Sequence, residues 1–226
     1  MPPTSSSSAP AAYPRTERTT LTRARRRASY DRESVHRILD EEFVCHLGFV
    51  RDGAPVVLPT LYARSGDRLY VHGSTGSRPL RTASGSPEGM PVCVTVTHVD
   101  GIVLARSAFH HSVNYRCVVV HGTAYPVTDE AEQRAALDAL TDQVVAGRAA
   151  DSRPADGKEL AATAVLRVDL EEVSAKVRTG GPNDEERDLA LPHWSGVVPV
   201  RRAYGDPEPA DARARETPLP GYLAAL

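Results

Sequence analysis

Apolar residues recur at two different periods along this chain, and the two periods separate strands from helices. Val92, Val94 and Val96 alternate with Cys93, Thr95 and Thr97, which is the period-two pattern of a β-strand. Both sets are fairly apolar, as expected where a sheet curls on itself and is also covered outside. Turn chemistry divides the strand-like runs. Asp52-Gly53 sits inside HLGFVRDGAPVVLPTLYAR, Ser65-Gly66-Asp67 precedes RLYVHG, and Asp100-Gly101 interrupts VCVTVTHVDGIVLARS. Asp-Gly suits a type I′ turn, whose two central residues need positive φ. Three such signals between β-branched runs predict an antiparallel meander with hairpins at each.

The helical period appears twice. Val35, Ile38, Leu39 and Glu42 follow helical spacing behind Asp31, a natural N-cap, predicting a helix over 31–42. Leu137, Leu140 and Val144 form a second stripe, with Asp129 as N-cap, Glu132 as its capping-box partner and Gly147 as the stop. A short helix is expected over 78–83. NYRCVVVHGTAYPVT and TAVLRVDLEEVSAKVR read as one long strand each, and AADSRPADGKE as a polar loop between. From Thr179 onward only LPHWSGVVPV is apolar. The order is mainly β, a barrel with peripheral helices. It lacks the β-α alternation of a doubly wound nucleotide fold.

Composition bounds the rest. The 226 residues suit one domain with tails. Residues 1–28, rich in Ser, Pro, Thr and Arg, predict a disordered tail; 29–200 the barrel domain; 201–226 an extended, Pro-rich C-terminal tail. Hydrophobic residues make up 41%, enough for one core. The net charge of −2 gives no reason to expect nucleic acid or an anionic membrane as partner, and Arg23, Arg25, Arg26 and Arg27 read as a solvated arm. Cys45, Cys93 and Cys117 are odd in number and lie in apolar runs, which suits reduced, buried thiols in a cytoplasmic protein. No apolar stretch is long enough to span a bilayer.

Candidate chemistry concentrates in LYVHGSTGSRPLR. There a strand enters a Gly/Ser turn that carries the hydroxyls of Ser74, Thr75 and Ser77 and the guanidinium groups of Arg78 and Arg81. Donors, a helix start and a guanidinium fork can hold a phosphate; a solvated basic loop would share the composition. His72 ends the strand beside them. Arg116 enters an apolar strand, as an edge residue paired to an acid or as a partner for a ligand anion. Trp194 is the only Trp, a gap filler or a flat surface for an aromatic ligand. Glu171-Glu172 reads as a solvated face. The adjacent His110 and His111 would point to opposite faces of a strand, so no metal site is expected there. GxSxG, Walker, HExxH and GxGxxG motifs are missing from the sequence, which removes the main support for serine hydrolase, P-loop, zincin and Rossmann chemistry.

Several segments, in order, resemble the flavin-nucleotide-binding proteins of the pyridoxamine-5′-phosphate-oxidase-like superfamily, including its nitroimidazole-resistance-type group. They are YDRESVHRILDE, HLGFVRDGAPVVLPTLYAR, LYVHGSTGSRPL, PVCVTVTHVDGIVLARSAFHHSVNYRCVVVHGTA, AKVRTGGPNDEERD and WSGVVPV. The resemblance implies an FMN-binding split β-barrel, a homodimer with sites at its interface, and Thr60 lining the flavin. It also implies His72, Gly73, Ser74, Ser77, Arg78 and Arg81 around the phosphate end, Asn114 and Arg116 near the site or dimer seam, Trp194 beside the ring, and Arg116 or Arg178 stabilising negative charge near flavin N1. His72 matches an active-site histidine of the nitroimidazole-type relatives. Pro79 follows Arg78 where true pyridoxamine phosphate oxidases carry Ser-Arg-Lys, which argues against vitamin B6 oxidation. The implied activity is an FMN-dependent oxidoreductase with NAD(P)H as donor and a small-molecule substrate; the alternatives are a non-catalytic FMN carrier or sensor, or a relative that holds F420 or haem on the same barrel.

Overall fold

A computed structural model describes residues 11–77 and 88–224. Nine strands form one antiparallel sheet: β1 (Ala28–Ser29), β2 (Val44–Arg51), β3 (Ala54–Ser65), β4 (Arg68–Ser74), β5 (Met90–Leu104), β6 (Ser112–Pro126), β7 (Thr163–Asp169), β8 (Glu172–Arg178) and β9 (Gly196–Pro199). Their order is β1-β8-β6-β7-β4-β3-β2-β5-β9, and β6 also pairs with β5. That extra pairing closes β6, β7, β4, β3, β2 and β5 into a ring. Its interior holds Leu47, Phe49, Tyr62, Leu69, Val71, Val94, Val96, Val118, Val120 and Leu166.

The local signals work where chemistry fixes the backbone directly. Asp52 and Gly53 have φ of 52° and 75°, the positive pair a tight hairpin needs, and they join β2 to β3. Gly66 at φ 58° turns β3 into β4. Helix α1 (Arg32–Asp40) starts on the Asp31 side chain, which accepts from Ser34 N at 2.8 Å, and buries Val35, Ile38 and Leu39.

Asp100-Gly101 behaves otherwise. β5 runs straight through it with a bulge between Val99 and Gly101. The Asp100 carboxylate is taken by the Arg116 guanidinium on β6, with two bonds of 3.0 Å. β9 presses on Gly101 from the other side: a Cβ there would meet Val197 Cγ1 at 3.0 Å. The pair therefore serves a bulge under a third strand, and the connection to β6 comes later, through a short 3-10 turn at Ala108–His110.

Helix α2 (Glu130–Val144) is capped by Asp129, which accepts from Glu132 N at 2.8 Å. Glu132 does not close the expected capping box; its carboxylate accepts from Tyr70 Oη (2.9 Å) and Arg68 (3.2 Å), tying the helix to β4. Gln143 clamps the other end, its Nε2 donating to the carbonyls of Leu39 (3.1 Å) and Glu42 (2.7 Å). A full capping box occurs instead at Asp156 and Glu159, and starts helix α3 (Gly157–Ala162) inside the segment expected to be a loop. The single strand expected over 163–178 is two, because Leu170 leaves the ladder to donate to Asp67 O at 2.8 Å and buries its side chain. β7 then pairs with β4 and β8 with β6.

The N-terminal segment also differs from expectation. From Ala11 it packs on the domain rather than trailing as a free arm. Tyr13 is buried, its N–H donates to Tyr30 O at 2.8 Å, and its hydroxyl bonds His36 Nε2 at 2.7 Å. An aromatic ring that reaches the core gives the segment a reason to be ordered that its Ser/Pro/Arg composition hides. Glu172 is half-buried and pairs with Arg18 from the same segment, so it is not simply solvated. At the C-terminal end Arg202 pairs with Glu42, and short helices span Ala212–Glu216 and Gly221–Ala224, where Tyr222 donates to Asp151 at 2.7 Å.

Candidate functional site: the parting of β3 and β4

Every residue of β2 pairs with β3, from Val44↔Leu61 to Arg51↔Ala54. β3 pairs with β4 only from Tyr62↔Val71 to Ser65↔Arg68. Residues 54–61 of β3 and 72–74 of β4 thus each lose one neighbour, and the two strands part. Val57, Leu58 and Leu61 on the freed length are exposed, Val57 at 62%.

The parting separates the predicted residues by face. Thr60 lies opposite Cys45, which is buried in the barrel interior, so Thr60 shares the interior side. On β4, Leu69 and Val71 point into the barrel, while Tyr70 packs outward with Ala136, Val165 and Leu137. Alternation puts His72 and Ser74 on the outward side with Tyr70 and Gly73 with the interior. His72 accordingly lines a cleft of about 1060 Å³ with Leu61, Leu137, Leu140, Thr141 and Val144. Burial lowers the His72 pKa, which keeps the imidazole neutral. Its Nδ1 is buried and has no hydrogen-bond partner among the described residues.

The turn after β4 is largely self-satisfied. Thr75 N donates to Ala162 O (3.0 Å), Gly76 N to Ser74 Oγ (3.2 Å) and Ser77 N to Ser74 O (2.8 Å). The hydroxyls of Thr75 and Ser77 are what this turn offers an anion. Arg78 and Arg81, and the helix expected at 78–83, lie outside the described residues.

The remaining predicted residues sit elsewhere. Arg116 is held by Asp100 and by Glu41 of α1; these carboxylates raise its pKa and use up its guanidinium. This is the acid-paired edge arginine that the sequence offered as one reading of this position. Arg178 is buried and donates to Asn114 Oδ1 and to the carbonyls of Gly180 (3.4 Å) and Gly181 (3.2 Å), while Asn114 Nδ2 donates to Gly180 O at 3.1 Å. This pair braces the loop after β8. Trp194 is 65% exposed and lies over Gly196, where a Cβ would meet its ring at 2.8 Å. It precedes β9, which three strands separate from β4 in sheet order. His110 bonds Glu185 (3.3 Å) and His111 Nδ1 accepts from Ala105 N (3.1 Å), so both rings serve the structure. The Cys45 thiol is buried and its pKa is pushed up to about 12; Cys93 and Cys117 are half-buried and also raised.

Sequence reasoning did not find the wall of the cleft. The stripe Leu137, Leu140, Val144 reads as ordinary core, yet all three also line the cleft that His72 lines. No helix among the described residues is long and apolar enough to cross a membrane.

A closed ring of strands that parts at one seam, with peripheral helices over the gap, defines a split β-barrel. The chain belongs to the pyridoxamine 5′-phosphate oxidase family, whose sequence profile matches residues 31–177. Two solved structures are similar over nearly their full length. The flavocytochrome Anf3 from Azotobacter vinelandii is 38% identical, with a TM-score of 0.85, covering 93% of this chain and 96% of that one. An FAD and haem binding protein from Mycobacterium smegmatis is 41% identical, with a TM-score of 0.82, covering 88% and 96%. A candidate 5-nitroimidazole antibiotic resistance protein from Bacteroides thetaiotaomicron, 19% identical with a TM-score of 0.54 over 66% of this chain and 86% of that one, shares the fold. No protein of curated function matches the chain.

Proposed function

We propose that this protein is a redox flavoprotein that binds its flavin, FMN or the larger FAD, along the freed length of β3, takes electrons from NAD(P)H, and carries a haem as a second cofactor. The observation that carries the flavin assignment is the open edge at residues 54–61. Among the described residues no second strand pairs with its backbone N–H and C=O groups, which lie next to apolar side chains and Thr60. A flavin needs that combination: hydrogen-bond partners along its pyrimidine edge and apolar contact for its rings. A bound flavin supplies one- and two-electron transfer, which the protein's own groups do not. The chain's part is to hold and shield it. The Thr75 and Ser77 hydroxyls suit the phosphate end. The haem is supported by the two relatives of 38% and 41% identity, one a flavocytochrome and the other an FAD and haem binding protein.

The same edge supports a homodimer. A long apolar strand edge invites a second chain. Val57, Leu58, Ile102, Val113 and Val198 are exposed together with it, and a second copy would cover them. Dimerisation also offers a way to unite the two groups of predicted residues: Trp194 of one chain could then approach Thr60 of the other.

The test is the visible spectrum of the purified full-length protein, with the released ligands identified after denaturation. Flavin bands with FMN or FAD in the supernatant, bleached by NADH or NADPH without oxygen, are expected, together with a Soret band. Flavin that no reduced nicotinamide bleaches would leave a carrier or sensor. A deazaflavin chromophore, or a protein that takes up no flavin, would overturn the flavin assignment.

A further inference from the structure

The segment that carries Arg23, Arg25, Arg26 and Arg27 is held to the domain on both sides. Tyr13 is buried at its start. At its end Tyr30 is buried, and its hydroxyl donates to Thr19 O at 2.9 Å, which closes residues 19–30 into a loop. Thr19 is buried too, and its hydroxyl accepts from Thr16 N at 2.9 Å. β1 then lays the chain along β8 at the edge of the sheet, with Ala28 opposite Lys176 and Ser29 opposite Ala175.

Between these anchors Arg25–Arg27 make a 3-10 turn. Ala24 begins it at φ 53°, in the left-handed region that disfavours any residue with a Cβ, and no side chain caps the turn. Backbone strain that a fold retains tends to mark a segment whose course serves a purpose. This course fans three guanidinium groups outward, because a 3-10 turn sets successive side chains about 120° apart.

The charge of the segment opposes that of the molecule. Residues 11–29 hold six arginines and one acid, Glu17, whereas the whole chain carries −2, so the remainder is acidic. Arg18 pairs with Glu172, and Arg15 lies over the Tyr30 ring at 4.8 Å. Arg32, Arg64, Arg68, Arg106 and Arg116 each pair with a carboxylate. Arg23, Arg25, Arg26 and Arg27 make no ion pair among the described residues, and all but Arg27 are exposed. A fixed patch of this kind steers molecules of opposite charge. Charge at a strand edge also keeps the edge from pairing with another chain, but one basic side chain suffices for that.

The patch offers little besides charge. Residues 15–29 contain no aromatic side chain, and their one large aliphatic residue, Leu21, is half-buried. Bases find nothing to stack on, and a bilayer finds no apolar anchor to receive. Small, polar, salt-sensitive contacts steered by opposite charge are the character of electron-transfer encounters between proteins.

We propose that the arginine patch at residues 23–27 docks an acidic one-electron carrier protein, an inference that rests on the redox reading above. NAD(P)H gives up two electrons as a hydride, and two carrier molecules docking in turn each leave with one. NAD(P)H becomes NAD(P)+, both carriers are reduced, and one proton is released. A flavin suits the exchange because it handles one and two electrons alike.

The experiment titrates rubredoxin, a small acidic one-iron carrier, into the flavin-loaded full-length protein. Wild type is compared with the combined Arg23→Ala, Arg25→Ala, Arg26→Ala and Arg27→Ala variant. Expected for wild type is saturable binding that weakens about tenfold between about 20 and about 200 mM salt. The variant should bind at least about tenfold more weakly at the lower salt, with NADH-driven rubredoxin reduction slowed in parallel and flavin bleaching by NADH unchanged. Arg213→Ala with Arg215→Ala, which removes exposed positive charge from the C-terminal arm, should leave binding as it was. Rubredoxin binding that responds neither to salt nor to the four substitutions, with flavin still bleached by NADH, would overturn the docking site and leave the redox reading standing. So would a patch that ignores rubredoxin but holds a duplex oligonucleotide or phosphatidylserine vesicles through the same arginines. A protein that takes up no flavin would end the redox reading, and the carrier role with it.

Discussion

The two parts of β3 obey different rules although they belong to one strand. Residues 62–65 pair with β4 and are covered by the helices: Tyr62 Oη donates to Leu39 O of α1, Arg64 N donates to Gln143 Oε1 of α2 at 3.5 Å, and Tyr62 and Ala63 are fully buried. Residues 54–61 pair with β2 alone, and Val57, Leu58 and Leu61 are exposed. Hydrophobicity does not distinguish them: PVVLPTL is at least as apolar as YARS. The difference lies in what covers them: each part has one paired strand, but only the part beside β4 also lies under α1 and α2. Where β4 stays alongside, apolar groups make core; where it departs, the same kind of residue makes a surface available for binding.

Substitutions should expose that contrast. The largest effect is expected from Tyr62→Ala, which empties a fully buried ring position and removes the hydroxyl that donates to Leu39 O; loss of such a ring costs about 3–5 kcal/mol. Denaturant unfolding should show it. If the loss is under about 1 kcal/mol, the part of β3 beside β4 is not the core it looks. Next comes Arg178→Ala, which strands the buried Asn114 and frees two glycine carbonyls, a loss of roughly 1–3 kcal/mol by the same assay. Arg116→Ala should cost about 1 kcal/mol or less, because both of its acidic partners are partly exposed, and should leave flavin content unchanged. Loss of flavin in that variant would show that the carboxylates do not exhaust its role.

Val57→Asp should change stability by no more than about 0.5 kcal/mol, since the side chain is exposed. Its effect belongs to the proposed assembly: if the open edge is the dimer interface, sedimentation should show the variant as monomer where the wild type is dimer, with flavin lost in parallel. A dimer that persists would move the interface away from the open edge.

The smallest effect is a pH dependence. The His72 pKa is lowered in the fold, so the unfolded chain binds its proton first. Stability should therefore fall as pH drops through the ordinary histidine pKa of about 6.5, and level off below the lowered folded value. Above that window the residue contributes nothing. His72→Asn should flatten this part of the curve; an unchanged slope would assign it to other groups, such as His36, whose pKa is also lowered, mainly by burial.

How much of this was legible depended on how local the cause was. Asp52-Gly53 needs only its own two φ angles, and its hairpin could be read directly. Asp100-Gly101 has the same letters, yet its fate was decided by Arg116 across the sheet and by β9 arriving about a hundred residues later in the chain. Glu132 had the spacing of a capping box, but Tyr70 and Arg68 offered it better partners. His72 stood out in the sequence beside the Gly/Ser turn; that it faces away from Thr60, into an apolar cleft, could not be read there.

The sequence by itself determined the β class, the positions of two hairpins, the caps of the two main helices and the family. Each of these follows from residues close together or from segments recurring in order. Only the tertiary structure decided where β3 and β4 part, which arginines are already paired, and which face of β4 carries the unsatisfied imidazole. Those depend on partners distant in the chain, and a strand's side chains change sides with every residue, so a site on a sheet is defined by register and by the neighbour that is missing.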